Sequence, residues 1–160
     1  MNIKFPVQVI LIATVASFSA SVFAASKSNV NVENALQVGV ATDGGKSKQT
    51  LKVGDAKDGG QTNVDAKNLL QVGVATKGTN EQTMNIGNAK GAGSKSNVKV
   101  ENLLQVGVAT DGGVNKQAMH IGNADKGGQS NVNAKNILQV GVATGGGSKS
   151  EQAMSMGNAE

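Results

Sequence analysis

Polar and apolar residues alternate along most of the chain. Val64, Ala66, Asn68, Leu70, Val72 and Val74 share one parity, and Asn63, Asp65, Lys67, Leu69, Gln71, Gly73 and Ala75 share the other. Side chains two apart point the same way on a strand, so this pattern predicts a β-strand whose inner, mostly apolar face is the first set. Gln82, Met84, Ile86 and Asn88 alternate in the same way with Thr83, Asn85, Gly87 and Ala89. Interior glycines and repeated valines argue against helix. Between the alternating stretches lie Asp43-Gly44-Gly45, Asp58-Gly59-Gly60, Asp111-Gly112-Gly113, Gly127-Gly128 and Gly145-Gly146-Gly147, where glycine admits the positive φ that a reversing strand needs.

The pattern is periodic. Gln-Val-Gly-Val-Ala-Thr occurs four times, at Gln37–Thr42, Gln71–Thr76, Gln105–Thr110 and Gln139–Thr144, with starts 34 residues apart. Ser28-Asn29-Val30 opens a unit that returns at Thr62, Ser96 and Ser130. A second half follows each time, at Gln49–Ala56, Gln82–Ala89, Gln117–Ala124 and Gln152–Ala159. The units are 28–61, 62–95, 96–129 and 130–160. One such unit cannot bury its own apolar face, and a stack can. The expectation is an all-β fold, a cross-β-like β-solenoid of four strand-turn-strand-turn repeats. A bend at Asn34, Asn68, Asn102 and Asn136 would give each coil three sides instead of two.

Stacking places equivalent residues ~4.8 Å apart. Glu33, Lys67, Glu101 and Lys135 then form a column of alternating sign, which suits in-register stacking and disfavours a slip by one unit. Duplication of a two-unit block accounts for the same alternation. Two amide columns are expected on the inner parity, Asn34, Asn68, Asn102, Asn136 and Gln49, Gln82, Gln117, Gln152, able to hydrogen-bond along the axis. Asp55 interrupts a third column of Asn88, Asn123 and Asn158. The outer parity reads as flat and small, with the Gly39-x-Ala41 and Gly54-x-Ala56 columns and their equivalents. Leu69, Leu103 and Ile137 lie on that parity, where they suit lateral packing of filaments, though small exposed residues are also simply tolerated there.

Residues 1–24 have the features of a secretory signal peptide, with Lys4, an apolar run from Val7 to Val15, and small residues ending at Val22-Phe23-Ala24. All three Phe and the single Pro fall within it. The remaining 136 residues are four times 34 and hold fourteen Lys, eleven acids, one His and no aromatic residue, Cys, Pro or Arg, a formal charge of +3. With one His and no Cys, a zinc site, a disulfide framework and a His- or Cys-based catalytic triad lack their parts. Without aromatics or a basic stripe, nucleic-acid binding is not expected either. No enzyme activity, metal or cofactor is expected. His120 aligns with outward Lys52, Asn85 and Ser155 and reads as a surface residue. The turns do not match calcium-binding nonapeptides. The column Leu51, Met84, Met119, Met154 reads as core filler. The column Thr42, Thr76, Thr110, Thr144 lies at a strand end, narrower than an ice-binding array would want.

No polar cap or proline follows the fourth unit, and solenoids that stay monomeric usually carry caps. Head-to-tail contacts that do not close generate filaments, and a second copy would continue the Glu, Lys, Glu, Lys column. The expectation is a secreted structural subunit that self-assembles into extracellular, cell-surface fibres serving biofilm matrix, adhesion or aggregation. The alternative is a monomeric β-solenoid binding module of adhesin or ice-binding type. Gln37-Val38-Gly39 with its three copies, and Gly87-Asn88-Ala89 with its copies, resemble the repeats of curlin, the subunit of curli amyloid fibres. The resemblance extends in style over the whole of 25–160. The unit here is longer, the Ser-to-Gln and Gly-Asn-Ala spacings differ, and curlin's aromatics are missing. The resemblance implies export through an outer-membrane secretion channel and polymerisation started by a nucleator subunit, with the chain itself not spanning the membrane.

Overall fold

The computed structural model describes residues 27–157 and the backbone of 2–5, 8–12 and 16–20. The expected cleavage stretch Val22-Phe23-Ala24 and residues 158–160 lie outside the described residues. The chain winds as a β-solenoid, and among the described residues there is no helix.

In the first coil β4 (Lys27–Glu33) reaches a corner at Asn34, and β5 (Ala35–Thr42) leads to a turn. Then β6 (Lys46–Val53) runs to a corner at Gly54, and the two-residue β7 (Ala56–Lys57) precedes the next turn. The second coil repeats this with β8 (Gln61–Thr76), β9 (Thr79–Ile86) and β10 (Ala89–Lys90). The third has β11 (Lys95–Thr110), β12 (Val114–Ile121) and β13 (Ala124–Asp125). The fourth has β14 (Gln129–Thr144) and β15 (Lys149–Met156). In the later coils one strand of 16 residues carries both sides around the asparagine corner. We call the stretch before that corner side a, the stretch after it side b, and the β6-type strand side c.

All strand pairs are parallel, and identical repeat positions stand opposite one another, as in Val64↔Val98, Gln71↔Gln105 and Met84↔Met119. The register on sides a and b is 34 residues throughout. Side c steps by 33 from Lys46 to Thr79, then by 35 to Val114. The turns absorb this difference. The second coil has a short turn at 77–78 and a long one at 91–94, so its total length is kept. In the long turns, Ser94 Oγ accepts from the Gly59 N–H at 3.1 Å and Ser148 Oγ from the Gly112 N–H at 3.0 Å, one coil below. Below the first coil, β1 (Asn2–Phe5), β2 (Gln8–Ile12) and β3 (Ala16–Ala20) pair in parallel with β4, β5 and β6.

The asparagine corner decides which side chains form the core. Asn34, Asn68, Asn102 and Asn136 have φ of 55°, 51°, 56° and 53°, the left-handed region that Asn tolerates better than other side chains. One residue there turns the strand and shifts its inside–outside phase by one position. Val64, Ala66, Leu69 and Gln71 are therefore all buried, although Ala66 and Leu69 are three apart. The uniform alternation expected for residues 63–76 fails at this point. Leu69, Leu103 and Ile137 point inward instead of serving lateral packing, and Leu70, Val72 and Val74 point outward. The four asparagines, expected on the inner parity, are exposed.

The core is a stack of aliphatic layers: Val30, Val64 and Val98, then Val32, Ala66 and Val100 from side a, with Leu69 and Leu103 from the start of side b. Side c contributes Leu51, Met84 and Met119, the expected filler column, and Val53, Ile86 and Ile121. Methionine suits an irregular gap between smaller branched side chains. The rest of side b presents glutamine, glycine and alanine inward, opposite the polar Gln82 type of side c. Glycine is required here by close approach: a β-carbon on Gly73 would lie 2.8 Å from the Gln82 amide carbon.

Replacing Asn102 tests the corner. Asn102→Ala is expected to lower stability by about 1–2 kcal/mol, because alanine resists the left-handed conformation. Asn102→Gly, which enters it freely, is expected to lose less. Denaturant unfolding of the two variants beside the parent checks this order.

Candidate assembly surfaces

Stacking turns each polar repeat position into a ladder. At the asparagine corner, Asn68 Nδ2 donates to Asn34 Oδ1 at 2.8 Å, Asn102 to Asn68 at 2.9 Å, and Asn136 to Asn102 at 2.8 Å. The expected axial bonding is present, on the solvent side. Side a carries a second outer ladder through Asn29, Asn63, Asn97 and Asn131. The ladder in the interior is one that uniform alternation puts outside: Gln71 donates to Gln37 at 2.8 Å, Gln105 to Gln71 at 2.7 Å, and Gln139 to Gln105 at 2.7 Å. Each such buried bond is worth about 1 kcal/mol, and losing one partner strands the other. The doublets Leu69-Leu70, Leu103-Leu104 and Ile137-Leu138 after each asparagine are the sequence signal for this phase change, since two adjacent apolar residues cannot both face inward on an unbroken strand.

The expected column Gln49, Gln82, Gln117, Gln152 does face inward, with the first three at most 3% exposed. The side-chain amides of Gln152 and Gln117 lie 3.1 Å apart. The side-chain amides of Gln49 and Gln82 have no hydrogen-bond partner among the described residues. Glu33, Lys67, Glu101 and Lys135 stand in register as expected. Lys67 reaches Glu33 at 3.9 Å, whereas Glu101 pairs along its own strand with Lys99 at 3.7 Å. Two vertical ion pairs not anticipated from the sequence join Lys116 to Glu151 at 3.6 Å and Lys90 to Asp125 at 3.7 Å. All are exposed enough that each contributes little.

The fourth rung differs from those below it. Met84 and Met119 are fully buried, yet Met154 in the same column is 45% exposed. Val132 and Ile137 are likewise more exposed than their equivalents. Among the described residues nothing covers this end of the core. The outer surface of side b is a second candidate. It presents the rows Leu36-Val38-Val40, Leu70-Val72-Val74, Leu104-Val106-Val108 and Leu138-Val140-Val142, none of them buried. Its border is the Thr42, Thr76, Thr110, Thr144 column, in which the Thr76 and Thr110 hydroxyls are 3.0 Å apart. His120 is half-buried on the outer side of β12. Among the described residues no three His, Cys, Asp or Glu side chains come together as a metal site, and no helix is long and apolar enough to cross a membrane.

Asp55 sits at the Gly54 corner and takes over the role of an asparagine. Its Oδ1 accepts from the Asn88 backbone N–H at 2.9 Å and from Asn88 Nδ2 at 3.2 Å, just as Asn88 Oδ1 accepts from the Asn123 N–H one rung above. Burial pushes its carboxyl above the ordinary value, and the Asn88 bonds with Lys52 and Lys57 only partly oppose that. The folded state thus holds the proton more tightly than the unfolded chain. Stability falls as pH rises from the ordinary carboxylate pKa to the raised one and stays lower above it. Asp55→Asn is expected to be more stable than the parent at neutral pH, with the difference vanishing in acid. Urea unfolding at a series of pH values between acid and neutral checks the sign.

No family model, curated protein or solved structure matches this chain.

Proposed function

We propose that the chain is a secreted structural subunit that stacks head-to-tail into extracellular cross-β fibres, serving as matrix or adhesive material. The observation that carries this reading is the open fourth rung. Along β14 and β15 it has the backbone course, ladder residues and inward side chains of the rungs below, yet Met154 stands 45% exposed where Met84 and Met119 are buried. Another copy of the first rung would cover it with the register the solenoid already uses. Gln139 and Asn136 would then offer their amide oxygens to the next rung as Gln105 and Asn102 do within the chain. The opposite edge is suited too. β1, β2 and β3 seat there in parallel without matching the repeat sequence, and removal of residues 1–24 as a leader would leave that edge free for another subunit. Heterologous contacts of this kind do not close into a ring. An outer-membrane channel, a nucleator subunit and a role in biofilm adhesion follow from the resemblance to curlin.

The flat outer surface of side b favours a second reading, a monomeric module that binds a surface or ice. It predicts a soluble monomer at all concentrations. Fibre assembly instead predicts a lag phase shortened by seeds and a fibre reflection at ~4.8 Å along the axis.

The sharpest test is Met154→Lys. In a lone molecule the ammonium reaches solvent from the exposed end, so circular dichroism should be unchanged. Beneath another copy it would be a buried, unpaired charge. Seeded elongation is expected to drop at least about tenfold, a difference of ~1.4 kcal/mol. Elongation at the parent rate would remove the open rung from the assembly contact.

A further inference from the structure

Among the described residues the outer surface of side b is the one long face without charge. Side a exposes Lys27, Glu33, Lys95 and Lys99 among others, and side c exposes Lys46, Lys48 and Lys116. On side b the twelve outward positions between the asparagine corner and the threonine border are all leucine or valine. Val40, Leu138 and Val142 are 39%, 54% and 41% exposed. The rows stand in strict register, Leu70 on Leu104 and Val72 on Val106, so the surface is a regular aliphatic grid and not a scatter of apolar residues. Contiguous apolar patches of this kind mark contacts with something else.

We propose that side b is the face through which two stacks of this chain pack against each other, so that the fibre is a pair of ribbons with a dry Leu/Val seam. This rests on the head-to-tail reading above. Three features select a second ribbon of the same chain as the occupant. The first is period. A ribbon of identical subunits has the same axial repeat, so a contact made at one rung recurs at every rung, whereas an unrelated partner falls out of step. The second is charge. Bringing either other long face against itself would desolvate lysines, and side b has none to desolvate. The third is area. Four rungs at ~4.8 Å and a face about 20 Å wide give roughly 400 Å² per subunit, about 800 Å² for a one-to-one pair, on the strand spacing of ordinary sheets. That is at the level of a lattice contact and below the roughly 1,200–2,000 Å² of stable complexes. Single subunits therefore do not pair, but the buried area grows with every subunit added to two ribbons. Pairing and elongation reinforce each other, and the grid is suited to that regime. The interdigitation is that of steric zippers, with sheets ~10 Å apart.

Mass per length of unstained fibres decides the matter. The parent chain is expected to show two subunits per ~19 Å of fibre, the height of four rungs. Val72→Lys combined with Val106→Glu places opposite charges one above the other, which a single ribbon accommodates and a dry seam does not. This variant is expected still to elongate from seeds, more slowly than the parent because no seam reinforces growth, and to give one subunit per ~19 Å. Val72→Thr with Val106→Thr, close in shape and strand preference, is expected to shift the parent toward single ribbons and guards against a folding defect in the charged pair. Parent fibres with one subunit per ~19 Å, or paired fibres of the Lys/Glu variant, would overturn the seam. So would single-ribbon parent fibres that sediment with phosphatidylcholine vesicles while the variant's do not, which would assign side b to a lipid surface. A parent chain that forms no fibre under seeding removes the head-to-tail reading and the seam with it, an outcome distinct from single ribbons.

Discussion

Parallel in-register stacking requires every side chain to tolerate its own equivalent directly above and below. With strands about 4.8 Å apart, no position is independent of the one a period away. Aliphatic residues meet this by continuing the core from rung to rung, as Val64, Val98 and Ile86, Ile121 do. Amides meet it by donating to the next rung with one atom and accepting with the other. For this reason asparagine and glutamine fill three columns at hydrogen-bonding distance. Like charges meet it least well, and the column at Glu33 accordingly alternates in sign. Even the turns obey the constraint, because a residue lost at 77–78 is restored at 91–94 and the period of sides a and b is unchanged.

The same constraint shapes the surfaces on which the functional proposals stand. A ladder has no natural last rung, so the fourth coil has the form of an interior coil, with one face of its core uncovered by the described residues. Its half-exposed methionine follows directly from that. Likewise, any residue type placed outward becomes a stripe. On side b the outward residues are leucine and valine, and four rungs turn three such positions into a flat apolar grid. Asp55 is the exception that shows the rule. A carboxylate accepts from the rung above as asparagine does, but carries a charge into a half-buried corner, and burial raises its pKa.

Much of this was legible in the sequence. The period, the parallel stack, the turn glycines and the methionine core column follow from repetition and alternation, which depend on neighbours along the chain and on the repeat, whereas the sequence left a bend at Asn34 and its equivalents open as one of two possible courses. The identity of the two faces after the corner was not legible from uniform alternation. Gln37, Gln71 and Gln105 are inside, Leu69 and Leu103 are inside, and the valines of Gln-Val-Gly-Val are outside, the reverse of the parity that the stretch before the corner sets. Alternation reports only that successive side chains oppose each other while φ stays extended. One asparagine at φ near 50° changes the count by one, and that conformation is stabilised by the corner's place in the wound coil and by its ladder to the rungs on either side. Local pattern therefore determined the rungs and their period, and the tertiary winding alone decided which half of each later strand faces the core.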